Sequence, residues 1–440
     1  MHKSNNTKII ILGAGLSGLS VAYHLKLDYE IFEKNLCVGG LCRSVKMDGF
    51  IFDYGPHILF TANQYVAGLI KELLRDNLSI KQREAWIYHK KYDCYTRFPF
   101  QSHLYGLPVE LVKKCILGVV DAKYNARRDS IPQNYREWMY FTFGKEISEY
   151  LMIPYAKKIW TVSPDRMNYD WVKERIPLPT LEDILEGALH DTAMRSGFNK
   201  EFWYPIEGGI EALPCAFLPY IKQVNLNMEA TKIFTQKHEI EFNHKEVIGY
   251  DILVATIPLP ELIKLIENVP EEVRHAADAL QYNSIICVNL GIDRPNVSDK
   301  HWIYFHEDEF IFHRISFPMN FSNRTVPEGK SSISTEISYS KYKKIEKHSV
   351  VERVVEDLIK AKILQPNDKI LVTNVLDIKY GYVIYDHDHR KNVNIIHNFL
   401  KEHDIYPCGR FGEWEYFNMD HSILSGKKVA DILNHNSLYC

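Results

Sequence analysis

The segment KIIILGAGLSGLSVAYHL, residues 8–25, constrains the fold more than any other part of the chain. A short apolar strand leads into Gly13, Gly15 and Gly18, which are spaced as G-x-G-x-x-G, and a helix of small and apolar residues follows. In this arrangement the first glycine permits a tight turn, the second lets the backbone approach a pyrophosphate, and the third lets the helix pack on the strand. The positive helix N-terminus then faces the anion. The pattern predicts a dinucleotide site on a parallel α/β sheet.

The next segment narrows the choice of dinucleotide. YEIFEK reads as a second strand that ends at Glu33, 15 residues after Gly18. A carboxylate at that strand end can accept hydrogen bonds from both hydroxyls of an adenosine ribose. An acidic residue there disfavours a phosphorylated ribose. The prediction is therefore FAD or NAD rather than NADP.

The stretch CVGGLCRS, residues 37–44, favours FAD over NAD. Gly39 and Gly40 let the backbone approach the cofactor, and the guanidinium of Arg43 can bind its diphosphate. The order of glycine turn, acidic strand end and G-G-x-x-R resembles the flavoprotein superfamily of amine oxidases, protoporphyrinogen oxidase and carotene desaturases. The superfamily resemblance implies FAD as cofactor.

Length and charge exclude several classes of protein. The chain has 440 residues, enough for two or three packed units, and a net charge of -3, which argues against a nucleic-acid partner. Apolar runs are shorter than the roughly 18 residues that a membrane span needs. The eight cysteines form no C-x-x-C pair, which favours a reducing compartment such as the cytoplasm over a disulfide framework, and no metal site is expected.

The hydrophobic periodicity predicts an α/β protein whose Rossmann-like FAD domain is discontinuous, interrupted by a helical insert and an antiparallel-sheet insert. Apolar spacing is helical from about residue 105 to 195, and Pro154 is expected to kink or break a helix there. Short alternating runs after residue 281 predict strands. The predicted segments are a first FAD part (1–95), a mostly helical substrate domain (96–200), a second FAD part (201–280), a sheet substrate domain (281–400) and a final FAD part (401–440).

One stretch identifies a narrower resemblance. PYAKKIWTVSPDRMNYDWVKERI, residues 154–176, resembles the corresponding motif of the UDP-galactopyranose mutase family, especially its eukaryotic type. Further stretches of the chain agree in order with that family; they are RFPFQSHLYGLP (97–108), FNKEFWYPIEGG (198–209), WIYFHEDEFIFHRISFPMNFS (302–322) and GRFGEWEYFNMDHSILSG (409–426).

The resemblance implies roles for particular residues. Arg175 and Arg314 match two arginines that hold the substrate diphosphate, and His57 matches a histidine on a loop beside the flavin. Other matches imply substrate contacts by Phe98, Phe100, Gln101, Trp160, Asn199, Tyr304, Tyr382 and Tyr416. Near the C-terminus, GRFG is expected to end a strand. There the matches imply flavin contacts by Gly412, Asn418, Met419, Asp420 and Ser422, with the helix N-terminus favouring the negative charge of reduced flavin.

The implied reaction is an isomerisation without net redox change, the interconversion of UDP-galactopyranose and UDP-galactofuranose for polysaccharide biosynthesis. Reduced FAD attacks the anomeric carbon through N5, UDP leaves, and the flavin–sugar adduct opens and recloses before UDP is recaptured. A reductant, NAD(P)H or another, is implied as partner. Whether the chain forms a homo-oligomer is left open.

Two positions depart from the family pattern near the nucleobase. Phe98 replaces a tyrosine, and Ala156 stands where the eukaryotic enzymes carry an asparagine; Val383 also replaces a common proline. The same chemistry on another nucleotide sugar therefore stays open. Two further functions are compatible with the same motifs: an FAD-dependent amine oxidase or desaturase, and a flavin-binding protein without catalytic activity.

Overall fold

The computed structural model describes residues 7–125, 131–172, 175–191 and 200–436. The strands, in chain order, are Ile9–Leu12, Tyr29–Phe32, Ser44–Met47, Phe50–Asp53, Leu78–Gln82, Ala85–His89, Cys94–Arg97, Glu201–Pro205, Val224–Asn225, Ala230–Phe234, Glu239–Phe242, Glu246–Gly249, Ile252–Ala255, Gln281–Ile292, Trp302–Phe305, Arg314–Ser316, Ser331–Tyr339, Ile370–Ile384 and Ile405–Pro407.

The α-helices are Leu16–His24, Gln64–Leu74, Val109–Val120, Tyr135–Ile147, Ile153–Trp160, Leu181–Leu189, Ala212–Cys215, Leu259–Leu265, Glu271–Ala279, Pro318–Phe321, Val350–Lys360, His389–Lys401, Gly409–Gly412 and Met419–Asn436. The 3-10 helices are Lys90–Tyr92, Phe100–Ser102, Pro164–Arg166, Asp170–Val172, Leu218–Tyr220, Asn323–Thr325 and Lys347–Ser349, and the π-helical turns are Asp121–Asn125 and Ser148–Met152.

A five-stranded parallel sheet forms around the first strand. Its order is Ile405–Pro407, Ile252–Ala255, Ile9–Leu12, Tyr29–Phe32 and Val224–Asn225. The central strand is apolar throughout and buried, because a parallel sheet is covered on both faces. Since its strands come from widely separated parts of the sequence, the Rossmann-like domain is discontinuous, as predicted. The residue bounds of the five predicted segments stay a prediction.

The second large sheet has seven strands and is mostly antiparallel. Its order is Ile370–Ile384, Gln281–Ile292, Ser331–Tyr339, Arg314–Ser316, Trp302–Phe305, Ala85–His89 and Cys94–Arg97. Its one parallel pair joins Trp302–Phe305 to Ala85–His89. Direct cross-strand pairing places Tyr304 beside Arg314 and Arg314 beside Glu336. This register brings residues from distant parts of the sequence to one patch.

Smaller sheets and helices complete the fold. A three-stranded sheet spans residues 230–249, and two antiparallel pairs join 44–47 to 50–53 and 78–82 to 201–205. The helical segment before residue 190 follows the prediction. The helix is interrupted at Gly144 (φ +77°, ψ 173°) and not at Pro154. At Pro154 the backbone stays helical: the π-helical turn Ser148–Met152 continues into the helix Ile153–Trp160, which has the proline in its first turn. Proline is tolerated there because the first N–H groups of a helix have no intrahelical partner.

The last helix, Met419–Asn436, packs against the helix that follows the glycine turn. Its buried Ile423, Val429 and Leu433 share a core with Leu16 and Leu19. The hydroxyl of Ser20 donates to the Ile423 carbonyl at 2.7 Å. The end of the chain therefore closes on its beginning. Across the described ranges, no helix is both long and apolar enough to cross a membrane.

The prediction that GRFG ends a strand was wrong. The strand is Ile405–Pro407, and Gly409–Gly412 is a single helical turn after it. Gly409 has φ +81°, and a Cβ there would lie 2.0 Å from Ser17 Oγ. The backbone turns out of the strand at this glycine because it passes directly over the first helix.

Candidate active site

A cleft of about 1690 Å³ is lined by residues of both large sheets. The glycine turn, the residues around Gly39 and the start of the last helix contribute to one part of its wall. The seven-stranded sheet contributes Tyr304, Arg314 and Tyr382. The fold thus assembles one wall from sequence segments that lie hundreds of residues apart.

Two glycine turns form a wall of bare backbone. Gly15 and Gly39 form an isolated parallel bridge, and a Cβ on Gly40 would lie 3.2 Å from Gly15 Cα. Gly13 has φ +101°, and a Cβ there would lie 2.4 Å from Thr256 Oγ1. A side chain on Gly40 would press on the turn at Gly15, and one on Gly13 would collide with Thr256. The glycines therefore permit a close approach of backbone N–H groups to a ligand.

Gly18 and Gly412 do not line the cleft; each allows two backbone segments to pack closely. A Cβ on Gly18 would lie 1.9 Å from the Gly13 carbonyl oxygen, and one on Gly412 would lie 2.7 Å from the Ala255 oxygen. For Gly18 this is the helix–strand contact that the motif predicts. For Gly412 the structure shows a backbone contact with the parallel sheet.

Glu33 is buried directly after the second parallel strand and lines the cleft. Its carboxylate accepts from the backbone N–H groups of Ala14 and Asn35, each at 2.9 Å, and from the Asn35 side-chain amide. A carboxylate has about four lone-pair sites. Glu33 therefore ties the glycine turn to its own strand end and keeps acceptor capacity for a ligand hydroxyl.

Arg43 and the start of the last helix flank the glycine turns. The Nε of Arg43 donates to the Gly40 carbonyl at 2.9 Å, and its guanidinium lies 4.6 Å from the Tyr54 ring centroid. The other residues of this region that line the cleft are Asn418, Met419, Asp420 and Ser422. Asp420 accepts from the backbone and ring nitrogens of His421. Every predicted residue of this group reaches the wall.

Arg314 does not enter the cleft as a lone cation. Its guanidinium binds both carboxylate oxygens of Glu336, with Nη2–Oε1 at 2.9 Å and Nε in contact with Oε2. Tyr304 lies on the other side, with its ring centroid 6.0 Å from the guanidinium. Glu336 is buried, so the ion pair is shielded from water on that side.

Arg175 and Arg410 meet around Tyr382 and Tyr416. Arg175 donates to the Tyr416 carbonyl, with its guanidinium 4.9 Å from the Tyr416 ring centroid. Arg410 donates to the carbonyls of Phe417 at 2.6 Å and Gly381 at 2.8 Å. Its Nε is buried without a hydrogen-bond partner in the described part of the chain. Burial lowers the pKa of Arg410, yet an arginine stays protonated in proteins.

The phenols of this wall are neutral donors. Burial raises the pKa of Tyr382, with the nearby Tyr416 phenol acting in the same direction. The Tyr382 and Tyr416 rings are 5.6 Å apart at 76°, and the Arg410 guanidinium lies 5.1 Å from each. Two guanidinium groups and two phenols therefore converge on one region, which suits an oxyanion ligand.

His57 lines the cleft between these groups. Its Nδ1 lies 2.9 Å from the Gly55 carbonyl and therefore carries the proton, which leaves Nε2 as an acceptor. Burial lowers the pKa of His57 to about 4, although its hydrogen bond to Gly55 acts in the opposite direction. The positive charges of Arg410 and Arg314 lower the pKa further. The ring is neutral at physiological pH.

This neutral state predicts a pH effect on stability. The folded-state pKa lies below the ordinary value of about 6.5, so as the pH falls from about 6.5 to about 4 the unfolded chain binds a proton that the folded chain does not. The His57→Gln variant lacks this term. Between about pH 7.5 and pH 5, thermal melting should show wild type losing stability relative to the variant, by at most ~1.4 kcal/mol per pH unit. A pH-independent difference would contradict the assignment.

The five remaining residues that were predicted to contact the substrate differ in their position relative to the cleft. Phe98 lines it, with its ring 4.5 Å from the Tyr304 ring. Phe100 is buried in the core, and Gln101 is buried and donates to the Pro177 carbonyl at 3.1 Å. Trp160 is buried behind the described wall, where it packs edge-on against the Tyr382 and Tyr416 rings. Asn199 lies outside the described residues.

Among the charged residues of the cleft lining that sequence reasoning omitted, three lie next to predicted site residues. These are Arg83, Glu336 and Arg410. Arg410 belongs to the recognised GRFG stretch, in which only Gly412 was predicted to contact the flavin. Glu336 had no motif, and only its pairing opposite Arg314 in the sheet reveals it. Arg83 lies 5.7 Å from the Phe98 ring centroid, beside a motif that was recognised.

Comparison with known proteins identifies the family. The family model for flavin-containing amine oxidoreductases matches residues 16–433. The chain belongs to this family. Membership implies FAD as the cofactor, and the cleft fits it: the backbone glycine turns and the Glu33 carboxylate are the donors and acceptors that a dinucleotide requires.

Comparison of structures and comparison of sequences give relatives with different activities. A crystal structure of reduced UDP-galactopyranose mutase superposes with TM-score 0.92 at 28% identity, covering 98% of this chain and 94% of that one. In sequence, protoporphyrinogen oxidase 2 of Arabidopsis thaliana is 24% identical over 51% of this chain and 49% of its own length. The chain thus spans about half of that relative. Coproporphyrinogen III oxidase of Bacillus subtilis (strain 168) is 18% identical over 91% of each chain.

Proposed function

We propose that the chain is a mutase that interconverts UDP-galactopyranose and UDP-galactofuranose with reduced FAD. The observation that carries the proposal is the convergence of three arginines with tyrosine phenols in one cleft. These arginines are Arg175, Arg314 and Arg410, and the glycine turns line the same cleft. A substrate that keeps a diphosphate throughout the reaction needs such a group of donors. The similarity to a mutase structure across nearly the full chain supports the same conclusion.

The proposed cofactor contacts lie on one side of the cleft. Gly13, Gly15, Gly39 and Gly40 would present backbone N–H groups to the FAD diphosphate, with Arg43 beside them. Glu33 would accept from the ribose. On the last helix, Asn418, Met419, Asp420 and Ser422 would lie near the flavin ring. Reduced FAD, when bound, would supply the nucleophile for the anomeric carbon of the sugar.

The chain's own residues would hold the diphosphate side of the bond that breaks. Arg175 and Arg314 would bind the diphosphate by paired guanidinium–oxygen contacts, both before and after it leaves the sugar. Tyr304, Tyr382 and Tyr416 would add neutral hydroxyl donors. This arrangement keeps UDP close to the anomeric carbon, so that the return step is effectively unimolecular. Neutral His57 would position its loop and would not act as a general acid.

The decisive experiment follows the sugar. Purified protein, reduced with dithionite, is incubated with UDP-galactofuranose, and chromatography should show UDP-galactopyranose. The same protein without reductant should show almost none. Equal turnover by oxidised protein, or no turnover of any UDP-sugar, would refute the proposal.

The oxidase relatives in sequence favour a second candidate, an FAD-dependent oxidase or desaturase. An apolar substrate would have to lie against the guanidinium groups of the cleft, which is unfavourable without partners for them. Oxygen consumption with amines or a porphyrinogen, without dependence on a UDP-sugar, would favour this candidate over the mutase.

The nucleobase end yields a separate prediction. Phe98 lines the cleft beside Tyr304, whereas Ala156 is buried in the core away from the described wall. Restoring a hydroxyl with Phe98→Tyr should tighten UDP binding by about fivefold, the effect of one added hydrogen bond. Calorimetry with UDP measures it, and Phe100→Tyr is the matched control, because its ring is buried off the wall. Unchanged affinity in Phe98→Tyr would place the base elsewhere.

A further inference from the structure

Glu336 binds Arg314 more tightly than a surface salt bridge would. The two residues are direct cross-strand partners, and the guanidinium meets both carboxylate oxygens. The Glu336 side chain is 4% exposed, while that of Arg314 is 21% exposed. The carboxylate is therefore fixed in the sheet, and the guanidinium reaches from it towards the cleft. A bidentate pair of this kind restricts the plane of the guanidinium.

The same carboxylate lies beneath the turn that carries His57. A Cβ on Gly55 would lie 3.9 Å from Glu336 Oε1 and 3.8 Å from Cys287 Sγ, and Cys287 is the partner of Glu336 on the neighbouring strand. Gly55 has φ +84°, and its carbonyl accepts from His57. Glu336 thus binds the arginine proposed to hold the diphosphate and lies next to the turn that carries His57.

The charges of the three arginines are not equivalent. Arg175 and Arg410 donate to backbone carbonyls, and no carboxylate pairs with either of them within the described ranges. Arg314 has its charge cancelled by Glu336. These three residues together therefore carry two uncompensated positive charges.

We propose that Glu336 is a positioning residue that sets both the orientation and the charge of Arg314. It holds the guanidinium in one plane, so that its free edge meets a diphosphate oxygen, and it lowers the net positive charge that the three arginines present to the ligand. The inference rests on the proposed mutase function.

Glu336→Gln tests the charge directly, since glutamine keeps the size of the side chain. Turnover should fall on the order of 10- to 100-fold, because the guanidinium is no longer held in place. UDP should bind about fivefold more tightly at low ionic strength, owing to the uncompensated charge, and its binding should become more sensitive to salt. Inorganic pyrophosphate should gain at least as much affinity as UDP. A merely structural role would weaken turnover and binding together.

Two further variants separate charge from position. Glu336→Asp keeps the charge but shortens the side chain, so turnover should fall while UDP affinity and its salt dependence stay at wild-type values. Asp368→Asn is the matched control, because Asp368 forms a comparable buried pair with Arg294 at 2.8 Å for both contacts, and neither residue lines the cleft. It should leave turnover and UDP binding unchanged.

The outcomes distinguish this inference from the proposed function. If wild type converts no UDP-sugar, the mutase function fails, while the binding measurements still test Glu336. If Glu336→Gln binds UDP and pyrophosphate with wild-type affinity and salt dependence, the inference is overturned. Parallel losses of turnover and affinity in Glu336→Gln also overturn it. Should Glu336→Gln fail to retain flavin, loss of UDP affinity in Glu336→Asp would overturn it instead.

Discussion

Replacing Arg175 with alanine is expected to lower kcat/KM for UDP-galactofuranose by about 10²- to 10³-fold, the usual effect of removing one preorganised donor to a developing oxyanion. Arg175 is one of two arginines of the diphosphate group without a carboxylate partner in the described structure, so its charge is fully available to a ligand. Its guanidinium is held by the Tyr416 carbonyl and faces the Tyr416 ring. The loss should appear in kcat and KM, because the diphosphate is bound both before and after the sugar leaves.

Steady-state kinetics of the dithionite-reduced enzyme measure this effect. Arg175→Lys should recover part of the binding but little of kcat, because an ammonium lacks the planar pair of donors. Arg324→Ala is the control: Arg324 pairs at the exposed surface with Glu207 and should change neither constant. A kcat/KM within a few-fold of wild type in Arg175→Ala would exclude Arg175 from the diphosphate contact.

Gly18→Ala is expected to destabilise the fold by about 3 kcal/mol or more and to lose bound flavin, since its one added carbon overpacks a rigid contact. The new Cβ would lie 1.9 Å from the Gly13 carbonyl oxygen. That atom belongs to backbone at the start of the turn, so it cannot rotate away as a flexible side chain can. The first helix would have to move off the strand, and the backbone N–H groups of the turn would move with it.

The ratio of flavin to protein absorbance and a thermal melt report the two parts of this result. Gly68→Ala is the matched control, because Gly68 lies within the helix Gln64–Leu74 with nothing inside 4 Å of the added carbon. That variant should gain roughly 0.5–1 kcal/mol, as alanine replaces glycine in an exposed helix. Full flavin occupancy and an unchanged melting temperature in Gly18→Ala would mean that the turn tolerates a wider helix spacing.

Some parts of the fold and site follow from short stretches of sequence. The glycine spacing at residues 13–18 and the acid at Glu33 predicted a turn, a helix and a strand end that the structure contains. Local geometry is sufficient there, because each residue acts within its own turn or strand. Arg43, Asn418 and Ser422 also reach the cleft as predicted. Their motifs belong to segments whose ends are fixed by nearby glycines or by a helix start.

Other features depend on contacts between distant segments. The prediction for GRFG failed because the strand ends at Pro407 and the backbone turns at Gly409, where it passes close to Ser17, about four hundred residues earlier in the chain. Phe100, Gln101 and Trp160 belong to matched motifs, yet the packing buries them behind the described wall. A match to a motif does not distinguish a residue that lines the cleft from one that packs behind the lining. Both positions accept only a few residue types.

The sequence by itself determined the cofactor class and the discontinuous parallel sheet, because a glycine turn with an acidic strand end encodes its ligand within a few dozen residues. Only the tertiary structure decided which arginines carry free charge. Arg314 and Arg175 match their motifs equally well, but sheet register places Glu336 opposite Arg314 and leaves Arg175 and Arg410 facing carbonyls. The interaction of two charges depends on the distance between them, and a motif within one segment does not give its distance from another segment.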